Sequence, residues 1–310
     1  MSESIRVFAP ATVANVSCGF DVLGFAVNAP GDELVLRKKA TPGIEIAAIT
    51  GDGGKLPTHP DQNTASVSIQ HLLRHLGIDQ GFSLELHKKM PLGSGMGSSA
   101  ASAVAGVFAA NAILGNPLPV PELLPFAMEG ERLACGAAHA DNVAPSLIGG
   151  LVLIRSYEPL DVVSIPTPLP LYCTLLHPDI QVRTEDARAM LRRDIPMKRA
   201  IQQWGNLAGL VAGFMMGDAS LISRSMHDVV VEPIRSILIP GFQDIKAAAM
   251  ATGALGCSIS GSGPAIFALS PSESTAREVG RQMQGVLASL NIRSEVFVSP
   301  INYQGPSVLD

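Results

Sequence analysis

The sequence has no run of basic residues, no long unbroken apolar stretch and no paired cysteines, and each absence removes a class of function. Lysine and arginine number 22 against 27 acidic residues, for a net charge of −5. The positive face that holds a nucleic-acid backbone is therefore missing, and nucleic acid is excluded as a partner. The longest apolar stretch, residues 100–114, is interrupted by Ser102, Gly106 and Asn111 and is too short to cross a bilayer, so no membrane segment is expected. The opening residues, MSESIRVFAPATVAN, lack the charged-then-apolar layout of a secretory signal, and a cytoplasmic protein is the expectation. Cys18, Cys135, Cys173 and Cys257 are scattered, with no C-x-x-C pair and no histidine at ligand spacing. They read as reduced residues of the core or the site edge rather than as a zinc centre. What remains is a globular composition, 47% hydrophobic and 16% charged over 310 residues, enough for two modest domains.

The chain is arranged around residues 88–114, KKMPLGSGMGSSAASAVAGVFAANAIL. Gly93, Gly95 and Gly97 precede an alanine-rich segment whose length and apolar character ask for a buried helix. Residues without a Cβ let backbone N–H groups crowd round a ligand, and a helix N-terminus adds partial positive charge, so the pair suits an anion, a nucleotide phosphate first. Gly97 stands where the G-x-x-x-x-G-K-[ST] loop needs lysine, and Ser98 where G-x-G-x-x-G needs its third glycine. The same glycines would also serve a plain tight turn that lets the helix pack on a sheet. Ser98 and Ser99 favour the ligand, either as N-caps or as hydroxyls for a phosphate-bound Mg²⁺.

Read in order, residues 5–8 form a first strand ended by Pro10. The segment after it, carrying Asn15, Ser17, Gly19 and Asp21, is on its own residues a turn. Residues 33–37 and 44–49 give two further strands, 51–60 a surface loop, 65–76 a helix stopped by Gly77, and 82–86 the strand that feeds the glycine loop. A helix over 121–134 leads into a polar loop, 136–150, with His139, Asp141 and Asn142, and the apolar strand 151–154 closes a first domain, residues 1–157. In the second domain, residues 158–310, strands cover 171–176, 254–260, 265–269 and 292–298, and helices cover 242–251 and 274–290. Thr184 caps a short helix, and a long amphipathic helix from Ala200 to Met215 turns Trp204 into the core. SGSGP, residues 260–264, joins two strands and needs no role beyond a turn. Strands and helices mix without strict alternation, so the fold class is α+β.

PLGSGMGSSAA, residues 91–101, resembles the phosphate-binding motif of the GHMP kinases, the small-molecule kinases of galactose, homoserine, mevalonate and phosphomevalonate. Five blocks, APATVANVSCGFDVLG, EGERLACGAAHADNVAPSLIGG, VRTEDARAML, VVEPIRSILIPGF and SISGSGPAIFAL, are similar, in order, to segments of the homoserine kinases of that family. The resemblance covers nearly the whole chain. It implies a two-domain GHMP kinase fold, with an N-terminal domain like ribosomal protein S5 domain 2, a C-terminal ferredoxin-like domain and an active site between them. ATP would be the co-substrate with Mg²⁺, L-homoserine the acceptor, and O-phospho-L-homoserine and ADP the products on the route to threonine. A homodimer is an expectation of the resemblance alone.

Position by position, the resemblance implies ATP binding by Asn63, Thr64, Pro91, Leu92, Gly93, Ser94, Gly95, Met96, Gly97, Ser98, Ser99, Ala100 and Ala101, with Ser98 and Glu131 on the metal. Arg188 and Arg235 match positions that take the substrate carboxylate, Asn15, Asp21 and His139 positions that hold its amine and hydroxyl, and Asp141 and Asn142 the catalytic position. A zwitterion with a terminal hydroxyl asks for a guanidinium, a carboxylate and neutral hydrogen-bonding groups, and these residues are of all three kinds. On residues alone each arginine serves equally as half of a surface pair, and Glu131 as a solvated helix end. Phosphoryl transfer passes through a loose transition state, so positioning and electrostatics can carry it, and direct transfer without an obligatory base at Asp141 is the expectation. Two alternatives stay open: a GHMP kinase for another small alcohol, and a catalytically silent ligand sensor on the same fold.

Overall fold

The structure is a computed structural model and describes residues 3–136, 139–192 and 194–309. Ala137 and Ala138 of the expected polar loop, and the side chain of Cys135, lie outside what is described. Among the described residues no helix is long and apolar enough to cross a membrane.

Alternating apolar residues build β1 (Ser4–Ala14) and β2 (Leu23–Lys39), which pair antiparallel. Pro10 does not end the first strand. The register shifts between Pro10 and Thr12, and that irregularity accommodates a residue with no N–H to give to a ladder. After β3 (Ile44–Thr50) comes α1 (Thr64–Leu76), where Asn63 Oδ1 accepts from the N–H groups of Ala65 and Ser66 at 3.1 and 3.4 Å and Gly77, at φ 64°, ends the helix as expected. β4 (Gly81–His87) lies between β2 and β3, parallel only to the latter, and delivers the chain to the glycine loop and α2 (Ser98–Ile113). α2 is buried on nearly all sides. Its small residues permit this: a Cβ on Gly106 would lie 2.5 Å from the Ala65 carbonyl oxygen of α1.

α3 (Leu124–Cys135) packs on α1 and α2 and carries Glu131. The segment expected as a polar loop, residues 136–150, contains instead α4 (Ala140–Ile148). Pro145 hides that helix in the sequence, because it removes the N–H that would bond the Asp141 carbonyl one turn earlier. That carbonyl oxygen is accommodated against Gly24 of β2, where any Cβ would overlap it. β5 (Leu151–Tyr157) and β6 (Leu160–Ile165) then form a hairpin within the first sheet, so the expected boundary between 157 and 158 falls inside one structural unit.

The second half runs β7 (Tyr172–Pro178), α5 (Thr184–Ala189), α6 (Met197–Met216), α7 (Ala219–Ser225), α8 (Glu232–Arg235), α9 (Phe242–Ala251), β8 (Gly256–Ile259), β9 (Ile266–Ser270), α10 (Glu273–Ser289) and β10 (Ser294–Pro300). Its antiparallel sheet has the order β10-β7-β9-β8, the fourth, first, third and second strands of a β-α-β-β-α-β unit, which is the ferredoxin-like arrangement. The chain then returns to the first sheet through β11 (Ser307–Leu309), which pairs with β1. One apolar core spans both sheets, and Phe25 meets Phe267 edge to face at 5.9 Å across them. Cutting either ring back to alanine would cost about 3–5 kcal/mol.

Two expectations for the second half need correction. Arg183, not Thr184, occupies the N-cap of α5. Trp204 is 59% exposed rather than in the core, because only the far part of α6, at Leu210, Gly213 and Phe214, is buried.

Candidate active site

A cleft of about 260 Å³ is lined from both halves of the chain. Its floor is the glycine loop, where Gly93, Gly95 and Gly97 take φ of 64°, 80° and 69°. Gly97 itself is the N-cap of α2, so Ser98 starts the helix and neither serine acts as a cap, which leaves the second of the two roles expected for their hydroxyls. A Cβ on Gly97 would overlap the Thr12 hydroxyl. Carbonyl groups tie the loop to the scaffold: Met96 O accepts from Thr12 N–H at 3.1 Å, Ser94 O from Ala265 N–H at 3.0 Å, and Gly95 O from the Ser260 hydroxyl at 2.7 Å. The N–H groups of the first turn of α2 have no helical partner, and with the loop amides they form a site for an anion.

Beneath the loop the Lys88 ammonium bonds Asp32, the Ser98 carbonyl at 2.8 Å and the Ser102 hydroxyl at 2.7 Å. Burial draws the Lys88 pKa down while the Asp32 carboxylate opposes the shift. Asp32 also accepts from Lys89 N–H at 2.8 Å and from the Ser98 hydroxyl at 3.4 Å, so one buried carboxylate joins the entrance of the loop to its exit.

On the α3 and α4 side stand Glu131, His139, Asp141 and Asn142. Asp141 is fully buried, and burial, followed by the charges of Asp21 and Glu131, pushes its carboxyl up to about 7. The Asn142 Oδ1 accepts from the Thr12 hydroxyl at 2.8 Å, which fixes the amide with its Nδ2 as the remaining donor. Burial, the largest effect, lowers the His139 pKa and keeps the ring neutral at pH 7.

The opposite wall comes from the second half. Arg188 of α5 donates to both carboxylate oxygens of Asp21 at 2.9 and 3.0 Å. Arg235 of α8 is only 3% exposed and donates to the Ala187 and Gly261 carbonyls at 3.2 and 3.1 Å. Asn15 also lines the cleft, but its amide braces the turn: Nδ2 donates to Gly261 O at 2.8 Å, and Oδ1 accepts from Asp21 N–H at 3.0 Å.

Of the expected residues, the structure therefore brings Asn15, Asp21, Thr64, Glu131, His139, Asp141, Asn142, Arg188, Arg235 and most of the loop to one cleft. Asn63 is buried as the cap of α1, and Met96, Ala100 and Ala101 are wholly buried beneath the loop. Sequence reading missed Lys88, Leu56, Ser102, Thr184, Gly261 and Ser262. The last two belong to the SGSGP hairpin, which is more than a turn: it bonds the glycine loop, the turn after β1 and Arg235. A hydroxyl-and-glycine hairpin carries no sequence signal for that.

The cleft can also be tested for a metal. Among the described residues no group of three or more His, Cys, Asp or Glu could hold an ion by itself. Glu131, 4% exposed, and the Ser98 hydroxyl offer two oxygen donors beside the phosphate loop. Such a set suits Mg²⁺ completed by phosphate oxygens and water, and does not suit zinc.

Residues 63–150 match the family described as GHMP kinases N terminal domain, and residues 206–288 match GHMP kinases C terminal. The chain is 52% identical to a homoserine kinase of Chlorobium phaeobacteroides (strain DSM 266 / SMG 266 / 2430), over 99% of this chain and 100% of that one. It is 40% identical to a homoserine kinase of Xylella fastidiosa (strain M12), over 99% and 95% of the two. The crystal structure of homoserine kinase from Cytophaga hutchinsonii superposes with a TM-score of 0.98 at 61% identity, covering 100% of this chain and 98% of that one. A mevalonate kinase of L. major in complex with R-mevalonate, at 17% identity and a TM-score of 0.71 over 98% and 97%, shares the fold.

Proposed function

The chain belongs to the homoserine kinases of the GHMP kinase family, and from that premise we propose how its residues divide the work. Homoserine kinase activity converts ATP and L-homoserine to ADP and O-phospho-L-homoserine, a step of threonine biosynthesis. The amides of residues 93–99 hold the triphosphate, with Thr64 toward the nucleoside end. Glu131 and Ser98 would hold Mg²⁺, which would supply neutralisation of the phosphate charge during transfer.

Arg188 and Arg235 take the substrate carboxylate, and Asp21 its ammonium. The Asp21–Arg188 pair is already a mirror image of the zwitterion, so the substrate exchanges one ion pair for two. His139, neutral, and the Asn142 amide orient the hydroxyl toward the phosphorus. Asn142 holds the acceptor oxygen in line because Thr12 has fixed the other end of its amide. The hydroxyl proton leaves late in transfer, to phosphate or water, and the rate does not depend on Asp141 as a base.

One observation carries this reading: two arginines from the second half face the same cleft as the glycine loop and Glu131 of the first. The buried free thiols Cys18, Cys173 and Cys257 agree with a reducing, cytoplasmic setting. A coupled ADP-release assay with a panel of small alcohols tests the proposal. Turnover with L-homoserine and little with mevalonate or galactose is expected, and the reverse order would overturn it.

A further inference from the structure

Two cations converge on this cleft, and of its carboxylates only Asp21 is recorded in a hydrogen bond with either of them. Arg188 has Asp21, whereas the buried Arg235 bonds only neutral carbonyl oxygens among its recorded partners. Both guanidinium groups lie over the same ring, Phe20, with their central carbons 5.4 and 5.0 Å from its centroid. Phe20 does not line the cleft itself. With Leu191, Ile195, Val231 and Ile234 it borders a small hollow of about 110 Å³ whose rim also carries Arg192, Asp194 and Arg199, so the ring is packed on its apolar side while the buried Arg235 meets it in partly desolvated surroundings.

The backbone that aims this ring is strained. Asn15, Val16, Ser17 and Asp21 all have left-handed φ, of 70°, 40°, 65° and 59°, and Val16 is β-branched. Such conformations persist where the surroundings over-determine them, and they collect at functional sites. Here the Asn15 amide pins the turn to Gly261, the same carbonyl that Arg235 uses, so ring and guanidinium are referenced to one point.

We propose that Phe20 is a positioning residue for the phosphorylation: its π face is a shared platform that holds Arg188 and Arg235 convergent on the substrate carboxylate. To the charges of Asp21, Asp228 and Asp141, none of which is recorded as a hydrogen-bond partner of Arg235, the ring adds a direct contact, and it does so without a carboxylate that would compete with the substrate. Burial and then the Arg188 charge weaken the protonated form of Arg235, the charges of Asp21, Asp228 and Asp141 oppose them, and the ring contact acts in the same direction as those carboxylates. The inference rests on the assignment of the two arginines to the carboxylate.

The test replaces position 20 with a series of increasingly fluorinated phenylalanines, which drain the ring face while keeping its shape, alongside Phe20→Leu and Phe20→Tyr. The homoserine KM is expected to climb stepwise with fluorination and to rise roughly tenfold in Phe20→Leu, with kcat and the ATP KM little changed and Phe20→Tyr close to wild type. 3-Aminopropan-1-ol, which is homoserine without its carboxylate, should show no such trend. A homoserine KM flat across the fluorinated series overturns the platform, as does an equal trend with the decarboxylated analogue. Arg235→Leu in the same assays separates the two levels. If it too leaves the homoserine KM unmoved, the carboxylate assignment has failed. If it raises the KM while the fluorinated series stays flat, only the platform has.

Discussion

Replacing Asp141 with asparagine tests both the electrostatics of the cleft and the absence of an obligatory base. The folded carboxyl is pushed up to about 7 from 3.8 for an ordinary aspartate, and the residue is only 4% exposed, so its stability cost needs little discount for solvent. The unfolded chain loses this proton near pH 4 and the folded protein only near pH 7. Between those values the native state binds more protons, and its stability falls as pH rises; above pH 7 both states are ionised and the whole cost is in force. A shift of about three pKa units corresponds to about 4 kcal/mol, an upper figure because the asparagine amide must also be accommodated. Asp141→Asn should therefore raise Tm by several degrees at pH 8, at about 2 °C per kcal/mol, and by less than half as much at pH 5, where about 1.7 kcal/mol of the cost is already in force. In a coupled assay at saturating ATP and homoserine, kcat at pH 8 should remain within about tenfold of wild type. General-base catalysis is worth roughly 10²–10⁴-fold. A drop of that size would refute direct transfer, and an equal Tm change at both pH values would refute the buried-charge argument.

Other substitutions probe the cleft part by part. Gly95→Ala places a Cβ 2.5 Å from the Ser260 carbonyl oxygen at φ 80°, so it should lower Tm and raise the ATP KM sharply. Gly93→Ala meets nothing within 4 Å, and thermal unfolding should report only the left-handed strain, about 1–2 kcal/mol. Arg235→Leu should raise the homoserine KM by at least about tenfold through a lost charge-assisted contact, with the ATP KM nearly unchanged in steady-state kinetics. Glu131→Gln should raise the free Mg²⁺ needed for half-maximal rate by about tenfold while leaving homoserine binding, read by calorimetry, close to wild type.

Where local pattern and tertiary demand coincide, the fold was legible in the chain. Asn63 and Gly77 bracket α1 as caps should, and the alanine-rich α2 is the buried helix its composition demands. α4 was hidden because Pro145 and flanking glycines look like loop signals, and the compensation lies on another element, at Gly24. Trp204 was misplaced because an amphipathic stripe says which face is apolar and not how much of it finds a partner. For the site, the motif blocks named most of the polar groups. Lys88, Asp32 and the SGSGP hairpin were not assigned to the site, because the contacts that bring them there include neighbours more than fifty positions away, Asp32 for Lys88 and Gly95 for Ser260. Asn63 shows the converse: a residue next to the site by sequence whose amide is spent on capping.

The most direct test is a crystal structure of the chain with a nonhydrolysable ATP analogue, Mg²⁺ and L-homoserine bound together. The carboxylate should lie within hydrogen-bonding distance of both Arg188 and Arg235, with the ammonium at Asp21 and the triphosphate on the amides of residues 93–99. A carboxylate bound elsewhere, with the two guanidinium groups turned from the nucleotide, would contradict the account.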